Sequence, residues 1–194
     1  MKSTGTGTRI VLIIALAVAA TACLPSSTME KLSQKSKEQN TARTLTSSDG
    51  QSQITIPAGW KEDAELHEEA ELRASDRASE MYVIVITDSK QDFEEMSVEQ
   101  HSELTRGIIL NGLASPQISP ASKVTINGYP GVQTEIRGTV DKINLVYIHT
   151  SVESPKNLYQ IVAWTLPSRF EKNRSTLVEV IESFKEVEPG AASK

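Results

Sequence analysis

KVTINGYPGVQTEIRGTVDKINLVYIHTSVESPKNLYQIVAWT, residues 123–165, decides the fold class. Residues 123–126 run into Asn127-Gly128, a dipeptide favoured in two-residue hairpin turns because both turn positions need φ > 0. Beyond it, residues 132–140 alternate, with Val132, Thr134 and Ile136 opposite Gln133, Glu135 and Arg137. That is the period-two pattern of a strand with unlike faces. Asp141-Lys142 turns the chain into a long strand over 143–152. Ser154-Pro155-Lys156-Asn157 turns it again, and 158–165 returns. Strands joined by such short turns must run antiparallel, because a parallel pair needs a crossover.

Upstream, residues 81–87 (Met-Tyr-Val-Ile-Val-Ile-Thr) are apolar on both faces, which suits a central strand covered on both sides. Residues 53–57 form a further strand, ended by Pro57-Ala58-Gly59, with Trp60 placed to fold back onto the core. Residues 62–76 are expected to hold one or two polar strands. Ser97 and Gln100 have capping-box spacing. Behind them Val98, His101, Leu104, Thr105, Ile108 and Ile109 fall on one helical face, with Gly112 as the stop. Past Pro167, Ser168 and Glu171 have the same spacing, and Phe170, Leu177, Val178, Ile181 and Phe184 line a final helix. The expectation is an α+β domain, an antiparallel sheet of about six strands sandwiched by helices.

Three segments follow one another in a familiar order: Ile54-Thr55-Ile56-Pro57-Ala58-Gly59-Trp60, Ile126-Asn127-Gly128-Tyr129-Pro130-Gly131 and Ile181-Glu182-Ser183-Phe184-Lys185. Together they resemble the PsbP-like superfamily, including the DcrB-like bacterial envelope lipoproteins, over most of 50–187. The resemblance implies a central antiparallel sheet sandwiched by helices and a binding or assembly-assisting role. It brings no catalytic motif and no cofactor, so no active-site residue carries over.

The first 22 residues read as a signal peptide. Lys2 and Arg9 precede an uncharged apolar run over 10–22. As a helix that run spans roughly 20 Å, against a bilayer core of about 30 Å, so it suits a signal-peptide core better than a membrane span. It ends Ala20-Thr21-Ala22-Cys23, and Cys23 is the only cysteine in the chain. A lone exposed thiol is unusual in an oxidising compartment. Lipidation explains it, with acyl groups such as palmitate anchoring the mature protein. The alternative is a plain secreted protein cut by ordinary signal peptidase after Ala20-x-Ala22. Leu24 follows the cysteine, so sorting conventions favour the outer membrane in a Gram-negative cell. In a Gram-positive cell the domain would face outward from its one membrane.

With Lys2 and Arg9 gone, the mature chain holds 18 basic against 25 acidic residues, a formal charge of −7. Such a domain has no general attraction to nucleic acid. The expected organisation is signal peptide over 1–22, lipidated cysteine and flexible tether over 23–49, one globular domain over 50–187 and a disordered tail over 188–194. The tether is too polar to fold and, as a coil, averages roughly 28 Å end to end. The expected partners are the membrane, through lipid on Cys23, and another envelope protein.

Catalytic signatures are absent: no Gly-x-Ser-x-Gly elbow, P-loop or dinucleotide glycine fingerprint occurs. In an extended segment Glu65, His67, Glu69 and Glu71 would share one face and hold a divalent ion loosely. A solvated face explains them better, because four ligands in a row span too far for one ion. His149 is a general base only if a nucleophile and an acid join it, and otherwise a hydrogen-bonded structural histidine. His101 reads as a core-boundary residue. Trp60, Tyr82, Tyr129, Tyr147, Tyr159 and Trp164 are core aromatics, or the lining of a pocket between helix and sheet. A non-enzymatic binding protein is the leading expectation, a small-ligand or lipid carrier the alternative, and a hydrolase using His149 or His67 the third.

Overall fold

The computed structural model describes residues 41–92 and 96–187. The leader, Cys23, most of the expected tether and the 188–194 tail lie outside the described residues. The central elements are β5 (Met81–Ser89), β8 (Tyr129–Val140), β9 (Ile143–Glu153) and β10 (Asn157–Thr165). β10 lies between β5 and β9, with Ile161 opposite Val85 and Val162 opposite His149. The two hairpin turns adopt the left-handed backbone their sequences require: φ is 48° and 89° at Asn127 and Gly128, and 47° and 70° at Asp141 and Lys142.

Beyond β5 come β4 (Leu72–Asp76) and β3 (Lys61–Glu62). On the other side β6 (Ala114–Ile118) and β7 (Ser122–Ile126) both pair with β8. The sheet therefore has eight antiparallel strands rather than about six. Of these, β6 carries no apolar alternation and exists because the β8 edge accepts it. β6 is exposed along its whole length, carries Pro116, and breaks register between Ala114 and Gln117. Proline and an irregular register blunt an edge against pairing with another chain.

A second sheet of three strands has the order β1-β2-β11, from β1 (Arg43–Thr46), β2 (Ser52–Ile56) and β11 (Lys185–Glu186). β1 lies within the stretch assigned to the tether. Its composition is polar, yet Leu45 packs against the core and the strand pairs with β2 from Arg43 to Thr46.

The large sheet separates two layers. On one face Val83, Val85, Ile148 and Ile161 meet Ile54 and Ile56 of the small sheet, Trp60, and the last helix α2 (Phe170–Glu182) through Leu177 and Ile181. This is the main core, and Trp60 is buried in it as expected. α2 does not begin with the Ser168 cap. A 3-10 turn over Pro167–Arg169 leads in, and no side chain caps the start. Proline at the first turn position supplies the helical φ that a capping side chain would otherwise help to set. At its other end, the Asn127 amide donates to the carbonyls of Glu182 (3.1 Å) and Phe184 (2.6 Å).

The opposite face carries α1 (Val98–Asn111), begun by the expected box: Gln100 N–H donates to Ser97 Oγ, and Ser97 N–H to the Gln100 side chain. Gly112 ends it. The buried stripe differs from the expected one. Val98, His101, Ser102 and Thr105 face the sheet, whereas Leu104 and Ile108 are 46% and 65% exposed. No helix among the described residues is long and apolar enough to cross a membrane.

Candidate functional site

The segment carrying Glu65, His67 and Glu69 is a looped turn between β3 and β4, not a strand. Contacts from half-buried Arg73 and buried Asp63 curl it. Arg73 Nη1 donates to the carbonyls of His67 (2.7 Å) and Ala64 (3.3 Å), and Leu66 N–H donates to the Asp63 carbonyl. Glu65 turns away to pair with Arg77. The His67 ring accepts from Glu69 N–H. Among the described residues no cluster of three or more His, Cys, Asp or Glu side chains is arranged to hold a metal ion. Asp63 anchors the base of the loop, accepting from Ser75 Oγ at 2.6 Å and from Arg77 at 2.7 and 2.9 Å. The Arg77 guanidinium holds its carboxyl down at about 2.

Beneath α1 lies a polar seam that opens at Asp88. His101 is hydrogen-bonded through Nε2 to Asp88 (2.9 Å) and through Nδ1 to Ser151 Oγ (3.1 Å). Thr105 Oγ1 donates to the His101 carbonyl and meets His149 Nε2 at 2.9 Å. Because the single hydroxyl proton of Thr105 goes to that carbonyl, Nε2–H of neutral His149 is the donor in the second bond. His149 Nδ1 is then a bare acceptor. It has no partner among the described residues, and neither do the nearby Ser102 and Thr134 hydroxyls. Burial, with smaller contributions from His101 and Arg106, pushes His149 down to about 3.

A carboxylate, an imidazole and a serine hydroxyl in a row invite comparison with a hydrolytic triad. His101, His149 and Ser151 are all fully buried, so this row presents no nucleophile to a substrate. His101 is a core residue rather than one at the core's boundary.

The exposed side of the same layer is open. α1 sits mainly over β8 and β9 and reaches only partly over β10, so Ile86 and Trp164 stay half-buried on the β5–β10 side. Ile84, Ile86, Val162 and Trp164 form the floor of a cleft of about 510 Å³; Leu104 and Ile108 overhang it from α1, and Leu66 closes it from the loop. Of the six aromatic candidates, Tyr147 and Trp164 line this cleft. Tyr82 stacks on Trp164 at 5.3 Å between ring centres. Trp60 and Tyr159 are buried in the main core, and Tyr129 packs against it. Two other hollows, of about 590 and 780 Å³, are walled largely by charged and polar side chains around Arg77 and Lys90. They lack the apolar floor and few converging polar groups typical of small-molecule sites. One signal of the cleft was present in the sequence. α1 carries more apolar residues than its buried stripe uses, and Leu104 and Ile108 are the surplus.

Cyanobacterial PsbP (CyanoP) from Synechocystis is 13% identical, with a TM-score of 0.57 over 76% of this chain and 94% of that one. The fold is PsbP-like. LpqN of Mycobacterium tuberculosis, described as involved in cell envelope biogenesis, is also 13% identical, with a TM-score of 0.57 over 80% of this chain and 96% of its own. The Ran-binding protein Mog1p of Saccharomyces cerevisiae is 12% identical, with a TM-score of 0.51 over 74% and 95%. At such identities the likeness is one of fold. No family model and no curated protein matches the sequence.

Proposed function

We propose that this chain is a non-enzymatic binding protein of the bacterial envelope, of the DcrB-like kind, tethered through lipid on Cys23 and using the α1–sheet cleft as its binding surface. The observation that carries the reading is the open apolar cleft itself. Leu104 and Ile108 stand exposed at its rim, and Ile86, Tyr147 and Trp164 are only half-buried around the buried Ile84 and Val162. A monomer that leaves such side chains in water, with its main core already filled on the opposite face, has a surface fitted for contact. Proteins of this fold include one described as acting in envelope biogenesis and one described as Ran-binding, which supports binding as the common theme, although a fold hosts many functions. The Ala20-Thr21-Ala22-Cys23 ending supports the anchor, with a tether from Cys23 to about the start of β1. Location follows the cell type as above: outer membrane in a Gram-negative host, outward-facing cell membrane in a Gram-positive one.

A second reading, a carrier of a small apolar ligand, is favoured by the cleft's volume, which falls in the range of about 300–1,000 Å³ usual for ligand pockets.

Two experiments test the proposal. Fractionation of wild type against Cys23→Ala should move the protein from membrane to soluble fractions. A photo-crosslinking residue at position 108 of the full chain, irradiated in cells, should capture a defined envelope partner or ligand, while one on the exposed β6 at Gln117 should not. Equal, diffuse labelling from both positions refutes the cleft as the binding surface.

A further inference from the structure

The cleft's chemistry narrows its occupant. The side chains that line it include two carboxylates, Glu69 and Asp88, and neither lysine nor arginine. Glu69 is exposed, and its carboxylate makes no hydrogen bond or ion pair among the described residues. Asp88 is about a quarter exposed and uses one oxygen on His101. The remaining walls are mostly aliphatic, with the aromatic rings of Tyr147 and Trp164 and the polar side chains of His67, Thr105 and Gln160. An anionic amphiphile entering here would bring its negative charge against two carboxylates, with no lysine or arginine in the lining to offset it. A cationic head would meet both carboxylates and an aromatic face suited to cation–π contact.

We infer that the cleft selects a single-chain aliphatic ligand ending in an amine or quaternary ammonium, with the chain over Ile84, Ile86 and Val162 and the cation held by Glu69 and Asp88. This rests on the reading of the cleft as the binding surface. The cleft's volume of about 510 Å³ suits a small molecule.

The probes are dodecyltrimethylammonium, dodecanoate and the neutral dodecyl maltoside, each kept below its micelle concentration and titrated into the full chain. Trp164 emission reports occupancy, and a Trp164→Phe variant identifies the background from Trp60. The ammonium probe should saturate with a Kd at least tenfold below that of dodecanoate. Glu69→Gln should shrink that gap about threefold without changing the maltoside, and Ile108→Ser should weaken all three. Equal or tighter dodecanoate binding overturns the charge selection while the crosslink from position 108 still stands for the cleft. Ammonium binding unchanged in both variants is adventitious attraction to an acidic surface and also overturns it. Saturation by none of the three probes does the same, and with no crosslink from position 108 the binding surface itself falls.

Discussion

Lowering the pH from 7 to 5 should destabilise the domain through one buried imidazole. His149 is fully buried, and its folded value is pushed down to about 3, against about 6.5 in an unfolded chain. The folded value lies below the unfolded one, so the stabilisation from keeping the ring neutral is complete above about pH 6.5 and is lost progressively as the pH falls toward 3. At pH 5 the unfolded chain gains about 2 kcal/mol from proton uptake that the folded protein does not share. The geometry explains the resistance. Nε2–H is already committed to Thr105, and a proton on Nδ1 would create a buried donor with no acceptor. The neighbouring His101 and Arg106, both on α1, further oppose its protonation. The assay is urea unfolding of wild type and His149→Gln at both pH values. Wild type should lose about 2 kcal/mol more between pH 7 and 5 than the variant. Carboxylates such as Asp63 contribute equally to both proteins and cancel in the difference. Identical pH dependence in the two proteins refutes the reasoning.

Other perturbations separate packing from turn chemistry. A methyl group added at Gly131 would sit 2.7 Å from the Ser151 carbonyl oxygen on the neighbouring strand. Gly131→Ala should therefore cost about 1–3 kcal/mol in urea unfolding, whereas Gly138→Ala meets only the Leu113 side chain and should cost less. Asn127→Ala removes both hydrogen bonds to the end of α2 and forces alanine to φ 48°. It should lower stability by about 1–2 kcal/mol. Asn127→Gly, which relieves the backbone but not the lost bonds, should fall between the two.

The meander was legible because its turns are local. Asn127-Gly128 and Asp141-Lys142 specify their own backbone, and the alternation of 132–140 specifies its own faces. The both-sided burial of residues 81–87 was legible for the same reason, since an apolar run on both faces has few other homes. What escaped depends on distant partners. β1 is a polar tetrapeptide that becomes a strand because β2 offers an edge. β6 contains a proline and no buried side chain, and β8 makes it a strand. The alternation from Glu65 to Glu71 imitates a strand, but Arg73 and Asp63 pull it into a loop. The cleft was half visible. The apolar surplus on α1 could be read, but not the angle at which the helix lies. That angle is set by His101, Ser102 and Thr105 taking the inward places, beside Asp88, His149 and Ser151 on strands far away in the chain.

The shared use of β2 by β1 and β11 has a practical consequence. Arg43 and Glu186 flank opposite sides of a single strand, displaced by four residues along it. Two strand spacings and that offset amount to roughly 15–17 Å, a gap that five or six residues cross. A circular permutant is therefore within reach, with the old ends joined and new ones cut at Asp141-Lys142. Moving the lipid attachment point around the surface in this way would reveal whether the cleft must face a particular direction relative to the bilayer.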